Sequence, residues 1–226
     1  GTQAATGTLA VAASTNVYFT EGFSVSNGAS LTGDGNYWLT GGTFDVAGTM
    51  TVGTFNQTGG VLANTNTLIG IFNWTGGNWN TGQTTTIGTG GTINFDGGGY
   101  RDFNQRAIVN QGTVNWKSGY VRSGNSGSIT NASGAIFNDL QTSGYSMHAY
   151  NFGSGTNVFT FTNNGTYVRN GANTSYIDVP FENNGTVSVL QGNLQFRGGG
   201  TLAAAGSIAA AANTNVYFTD GYLVNN

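Results

Sequence analysis

The ionisable residues whose types could do chemistry together lie in one stretch, "NFDGGGYRDFNQR" (Asn94–Arg106). It holds two carboxylates, Asp96 and Asp102, and two guanidinium groups, Arg101 and Arg106. Polysaccharide lyases and hydrolases built on β-helices gather carboxylates and a basic residue on one exterior face, where the carboxylates supply acid and base catalysis. The stretch therefore raises the hypothesis that Asp96 and Asp102 form an acid–base pair acting on a polysaccharide.

Histidine and metal chemistry have few candidates. His148 in "SMHAY" is the only histidine, so a catalytic triad or a histidine-based metal site has one member and no partner motif. Calcium-binding solenoids repeat a nine-residue Gly/Asp phrase, which "FDGGGYRDF" resembles at one place only. We predict no structural metal, no cofactor and no catalytic residue, and we expect His148 to lie on a coil face between Tyr145 and Tyr150.

The composition narrows the classes of partner. Only 7% of the 226 residues are charged, against about 25% in an average domain. Six Lys and Arg against nine Asp and Glu leave no basic face for a phosphate backbone, so a nucleic-acid partner is excluded. No apolar run approaches the roughly 20 residues that span a bilayer, so membrane insertion is not expected. At 38% hydrophobic residues the chain still has enough apolar surface for a packed core.

The elements that must position these groups recur along the chain. Four alternating runs closed by glycine start 17, 21 and 21 residues apart: "TFNQTGG" (Thr54–Gly60), "IFNWTGG" (Ile71–Gly77), "TINFDGG" (Thr92–Gly98) and "TVNWKSG" (Thr113–Gly119). The phrase "FTNNGTYV" (Phe161–Val168) returns 20 residues later as "FENNGTVS" (Phe181–Ser188). A barrel or sandwich would repeat its turns every 8–12 residues or so. The longer period predicts an all-β fold, a right-handed parallel β-helix (β-solenoid) of about 20 residues per coil and roughly ten to eleven coils.

Stacked coils place like residues above like residues. We predict two inward columns, one of Phe55, Phe72, Ile93 and Val114 and one of Gln57, Trp74, Phe95 and Trp116, and an outward polar column of Asn56, Asn73, Asn94 and Asn115. The same spacing sets Lys117 beside Asp96 as a surface ion pair. The Asn-Asn-Gly and Gly-Gly runs are predicted to turn the corners with positive φ.

A second, longer period joins the two ends of the sequence. Residues 7–27 ("GTLAVAASTNVYFTEGFSVSN") align without a gap on residues 206–226 ("GSIAAAANTNVYFTDGYLVNN"), displaced by 199 residues throughout. We predict that residues 1–226 are a single β-solenoid segment in which 7–27 and 206–226 are equivalent coils of a tandem unit of about 199 residues. Covalent tandem repeats and separate chains stacked end to end both account for this pattern.

Several aromatic residues beside glycine turns are candidate contacts for carbohydrate. They are Tyr37, Trp38, Trp79, Tyr100 and Tyr120. Flat rings at a surface form platforms for sugars, but half-buried packing is the commoner role of such residues and is the alternative for these five.

The repeats resemble those of a known class of proteins. "FENNGTVSVLQGNLQFRGGGT" (Phe181–Thr201) and "IFNWTGGNWNTGQTTTIGTGGTINFDGGG" (Ile71–Gly99) resemble the Asn/Gly/Thr-rich solenoid repeats of large bacterial surface proteins of the autotransporter-passenger and filamentous-haemagglutinin kind. The resemblance implies an extracellular or cell-surface location and structural or adhesive work, and it assigns no role to a numbered residue. We expect a non-catalytic structural repeat of a bacterial surface fibre, stalk or sheath that associates with itself end to end or laterally. The alternatives are an adhesin that binds glycans through exposed aromatics and a polysaccharide lyase or hydrolase.

Overall fold

The computed structural model describes residues 1–153 and 155–225, and these residues form short parallel strands and no helix. The chain winds into a β-solenoid of about 11 turns, with equivalent positions about 21 residues apart. All of the strand pairings are parallel, because each strand lies on the strand one turn earlier. The predicted all-β parallel solenoid is confirmed.

The strands of the described residues follow one another in this order: β1 (Thr2–Gln3), β2 (Thr8–Ala10), β3 (Asn16–Phe19), β4 (Phe23–Val25), β5 (Ser30–Thr32), β6 (Asn36–Leu39), β7 (Thr43–Val46), β8 (Gly48–Ala63), β9 (Asn66–Asn78), β10 (Thr84–Ile87), β11 (Thr92–Phe95), β12 (Tyr100–Asp102), β13 (Ala107–Asn110), β14 (Thr113–Trp116), β15 (Tyr120–Ser123), β16 (Gly127–Asn131), β17 (Ile136–Asp139), β18 (Ser146–Ala149), β19 (Phe159–Asn163), β20 (Thr166–Asp178), β21 (Phe181–Asn183), β22 (Thr186–Phe196), β23 (Gly200–Leu202), β24 (Ser207–Ala210), β25 (Asn215–Phe218) and β26 (Tyr222–Val224).

Each coil contributes one strand to each of three faces. Face A contains β2, β5, β10, β13, β16, β19, β21, β23 and β26. Face B contains β3, β6, β11, β14, β17 and β24, and face C contains β1, β4, β7, β12, β15, β18 and β25. The long strands β8, β9, β20 and β22 bend round corners and serve more than one face. Along the chain the faces follow in the order A, B, C.

The predicted columns on face B are confirmed. Phe55, Phe72, Ile93 and Val114 are register partners in successive coils, and so are Gln57, Trp74, Phe95 and Trp116. All eight side chains are buried. Gln57, the polar member, is accommodated because its Oε1 accepts a hydrogen bond of 2.7 Å from Trp79 Nε1.

Two ladders of asparagine side chains run along the rod. The outward ladder is the predicted polar column extended by one coil, and its amides bond at 2.8–2.9 Å through Asn56, Asn73, Asn94, Asn115 and Asn138. The inward ladder lies at the end of face A, is fully buried and bonds at 2.8 Å through Asn110, Asn131, Asn163 and Asn183. Each inward asparagine also donates to a backbone carbonyl of the coil above, so both amide hydrogens of Asn110, Asn131 and Asn163 are satisfied.

The Asn-Asn-Gly corners work differently from the prediction. Positive φ is not found at the first asparagine or at the glycine of these corners, namely Asn163, Gly165, Asn183 and Gly185. Glycine is required there by space, because a Cβ at Gly185 would lie 2.1 Å from the carbonyl oxygen of Gly165 in the coil below. The Gly-Gly corners fit the prediction, since Gly60 and Gly77 have φ of 66° and 76°.

Candidate functional site: the tyrosine strip on face C

The two arginines of the charged stretch point into the core. Arg101 is 1% exposed, and its Nη1 donates to the carbonyl of Trp74 at 2.8 Å. Arg106 is fully buried; its Nε donates to the carbonyl of Trp79 at 3.0 Å, and its Nη1 donates to Thr85 Oγ1 at 2.6 Å. Burial lowers the pKa of Arg106 to about 10. Both arginines bind backbone and hydroxyl oxygens of the interior, so neither serves an exterior active site.

The two carboxylates of that stretch have separate partners. Asp96 accepts hydrogen bonds from Ser118 Oγ at 2.6 Å and from the Gly97 amide at 2.8 Å, and these bonds hold the pKa of Asp96 below its usual value despite partial burial. No ion pair joins Asp96 to Lys117 in the described part of the chain, so that prediction is wrong: the Ser118 hydroxyl takes the place next to the carboxylate. Asp102 lies on face C and pairs with the arginine of the next coil.

A row of ionisable side chains follows face C, one per coil. In order along the rod it consists of Asp102, Arg122, His148, Asp178 and Arg197. Arg122 holds both oxygens of Asp102 at 2.8 Å, and Arg197 holds those of Asp178 at 2.6 and 2.7 Å. The charges of the row are therefore paired, and its centre is the histidine.

Tyrosines flank this row. The tyrosine strip consists of Tyr100, Tyr120, Tyr145, Tyr150 and Tyr176, on or beside the strands of face C. Tyr100 and Tyr120 stack with ring centres 5.4 Å apart, and Tyr120 meets Tyr145 edge to face at 5.0 Å. The rings of Tyr100 and Tyr150 lie 3.5 and 4.1 Å from the Arg122 guanidinium carbon, which lowers the freedom of all three side chains. The tyrosine strip therefore packs against the paired charges of the row.

His148 is half-enclosed within this surface. Its Nδ1 shares a hydrogen bond of 2.9 Å with Ser146 Oγ, and its ring lies edge to face with Tyr120 at 5.8 Å. Burial, together with the positive charge of Arg122, lowers the pKa of His148 below 6.5. Folding therefore favours the neutral form of the imidazole. The expected position of His148 on a coil face is confirmed, and the sequence did not indicate the flanking charges.

The five aromatics predicted to contact carbohydrate do not form one surface. Tyr37 is fully buried and donates to the carbonyl of Thr32 at 2.7 Å. Trp79 is also buried and stacks on Trp74 with ring centres 4.1 Å apart. For these two the predicted exposure is wrong, because their polar atoms find partners inside the rod. Trp38 lies on face B, where its Nε1 donates to Asn16 Oδ1.

Tyr100 and Tyr120 are the predicted residues that share a surface. They lie in adjacent coils of face C, and Tyr100 is 50% exposed. The other members of the tyrosine strip were not predicted, because the coil containing Tyr145 and Tyr150 is longer than its neighbours and does not align by fixed spacing.

The arrangement limits the chemistry of face C. Asp102 and Asp178 are separated by three coil steps, or about 14 Å at the usual strand spacing. Paired glycosidase carboxylates stand about 5–9.5 Å apart. No group of three or more His, Asp or Glu side chains in the described ranges is placed to hold a metal ion. The surface presents aromatic faces and two bidentate ion pairs.

A fully buried ion pair lies inside the rod. Asp139 contacts Arg169 at 2.9 Å and accepts a hydrogen bond of 2.8 Å from the Tyr167 hydroxyl. Arg169 also donates to the carbonyls of Gln141, Ala172 and Asn193. These bonds satisfy the charges across three coils, so the pair is a structural cross-link.

No protein-family model, curated protein or solved structure matches the chain. Within residues 1–153 and 155–225, no helix is long and apolar enough to cross a membrane.

Proposed function

We propose that this protein is a non-catalytic structural segment of an extracellular bacterial fibre, stalk or sheath. The observation that carries the proposal is the continuity of the rod: aligned strands run along all three faces, and side-chain ladders join neighbouring coils along much of its length. Breaking the rod across its axis requires many backbone and amide hydrogen bonds to open together.

The surface supports the same proposal. The two ion pairs at the surface of the described residues neutralise charges on face C. The chain is rich in Asn and Thr, whose side chains offer hydrogen bonds to a neighbouring rod or to glycans. The repeat resemblance supports the bacterial surface location. Asp96 is held by Ser118 and the Gly97 amide, and both oxygens of Asp102 are held by Arg122. These separate partners argue against the two carboxylates acting as the acid–base pair of a polysaccharide lyase or hydrolase.

The proposal is tested on the cells that make the protein. An antibody against the chain should decorate fibres on intact cells, and deletion of residues 7–205 should shorten those fibres by about 45 Å, the length of nine coils. Labelling that appears only after lysis would overturn the extracellular proposal. Unchanged fibre length would overturn the structural one.

A second candidate function is adhesion through the tyrosine strip, favoured by the exposed ring of Tyr100 beside the bidentate Asp102–Arg122 pair. Binding should be measured on a glycan array with the full chain. Saturable binding should fall at least tenfold in Tyr100→Ala. The matched control is Tyr18→Ala, which removes a ring that is 58% exposed on face B. Equal loss in both variants would place the binding elsewhere.

A further inference from the structure

The two copies of the repeated phrase fold into the same local structure. Strands β3 and β4 recur 199 residues later as β25 and β26, with the same bounds after the displacement. Ser14 and Asn213 occupy equivalent corners with φ of 64° and 63°. The rings of Phe19 and Phe23 are 4.7 Å apart at 46°, and those of Phe218 and Tyr222 are 4.7 Å apart at 42°. The repeat therefore specifies one coil conformation, which appears twice.

The two copies differ in what lies on their C-terminal side. In the first copy, Phe19 is in register with Leu39 and Val25 with Val46, and the two buried residues are 5% and 1% exposed. In the second copy no described residue covers that side. The identical residues Phe218 and Val224 are there 48% and 63% exposed. The first copy thus shows what the surface of the second is shaped to hold.

The copies also occupy different faces. Strand β3 lies on face B, in the ladder that ends with β24. Its sequence twin β25 lies on face C, in the ladder that begins with β1 and β4. In the same way β4 lies on face C and its twin β26 on face A. Over 199 residues the chain therefore completes nine coils and then continues onto the next face.

We infer that the open surface of residues 206–226 binds a second copy of residues 28–46. The repeat unit that starts there is rotated by one third of a turn about the rod axis relative to the present unit, and we call this rotation the roll. The inference rests on the proposed function of the chain as a segment of a longer rod. The pairing of the first copy gives the contacts: the incoming Leu39 covers Phe218, the incoming Phe44 covers Tyr222, and the incoming Val46 covers Val224.

The roll follows from the order of the faces. Because Asn215–Phe218 lies on face C, the incoming Asn36–Leu39 must also lie on face C, whereas Asn36–Leu39 of the present unit lies on face B. In the second unit the tyrosine strip consequently moves from face C to face A, and in the third to face B. Successive units present the strip along a spiral that closes after three units.

The experiment extends the full chain. Residues 28–46 are appended directly after Asn226, and amide hydrogen exchange is measured over residues 215–224. The in-phase extension should slow exchange there at least tenfold, because the incoming strands pair with the exposed edges. One control carries Tyr37→Ser, Leu39→Ser and Phe44→Ser within the appended segment and should give no protection.

A second control of equal length separates the roll from simple elongation. Appending residues 34–52 instead would place Asn36–Leu39 at positions 229–232, opposite Ser207–Ala210 on face B, which is the face of Asn36–Leu39 in the present unit. Protection by the in-phase extension alone supports the inference. Equal protection by both extensions would overturn the specific binding of residues 28–46 and the roll while leaving the rod proposal intact. Absence of protection from either would overturn the inference and remove the support for a continuing rod.

Discussion

Replacing Asn131 with alanine tests the inward asparagine ladder. Asn131 donates to Asn163 Oδ1 at 2.8 Å and to the Thr166 carbonyl at 3.0 Å, and it accepts from Asn110 at 2.8 Å. The side chain is fully buried, so water does not replace these bonds. Loss of three bonds at a net 0.5–1.5 kcal/mol each, with Asn163 Oδ1 left without a donor, predicts a destabilisation of about 3–5 kcal/mol.

The matched control is Asn138→Ala in the outward ladder. Asn138 donates one hydrogen bond, to Asn115 Oδ1 at 2.9 Å, from a partly exposed position where water supplies a substitute. The expected cost is about 0.5–1.5 kcal/mol. An isosteric variant, Asn131→Asp, removes both donated bonds without leaving a cavity and should be at least as unstable as Asn131→Ala at neutral pH.

The measurement combines urea unfolding with native-state hydrogen exchange of β16 and β19. Hydrogen exchange is informative because coils of a solenoid open locally as well as globally. Exchange should accelerate in these two strands for Asn131→Ala and stay near wild type for Asn138→Ala. If both variants cost the same, the inward ladder contributes no more than a surface hydrogen bond and our reasoning about it is refuted.

Three further predictions concern other features of the rod. The pKa of His148 is lowered in the folded chain, so the unfolded chain binds the proton more readily. The free energy of unfolding should therefore fall as pH drops below about 6.5. In His148→Gln the dependence of the unfolding free energy on pH should flatten, and an unchanged dependence would contradict this prediction. Asp139→Ala leaves the buried charge of Arg169 without its carboxylate partner and should lower the free energy of unfolding by about 3–5 kcal/mol in urea. The double variant Asp139→Leu/Arg169→Met should restore most of that free energy. Gly185→Ala should cost about 1–3 kcal/mol because its Cβ meets the Gly165 carbonyl, whereas Gly22→Ala, with open space around the new atom, should be nearly neutral in the same thermal melts.

The sequence predicted the features that depend on spacing alone. The columns containing Trp74 and Asn73 followed from a period near 21 combined with strand alternation, since both fix which side chains stack and which face inward. The alignment of residues 7–27 on 206–226 also predicted that β3 and β4 recur as β25 and β26, whereas Asn226 lies outside the described residues.

Features that depend on contacts across coils were not predictable in this way. Arg106 looks like a surface charge in the sequence, but its guanidinium reaches carbonyls of Leu62 and Asn64, which lie 44 and 42 residues earlier. The first asparagine of each Asn-Asn-Gly corner suits a turn equally well, and only its contacts with the coil above show that its amide faces inward. The roll between the two repeat copies could not be predicted, because a repeat length counted in residues does not determine how many faces of the rod it spans.

The inward ladder keeps its step although the chain between its members varies in length. Asn110, Asn131, Asn163 and Asn183 are separated by 21, 32 and 20 residues, yet their amides meet at one distance of 2.8 Å. The additional residues of the longest coil emerge at its corners, before and after β18. The rise per coil is thus set by the amides inside the rod, so coils of different length can follow one another without changing the length of the shaft.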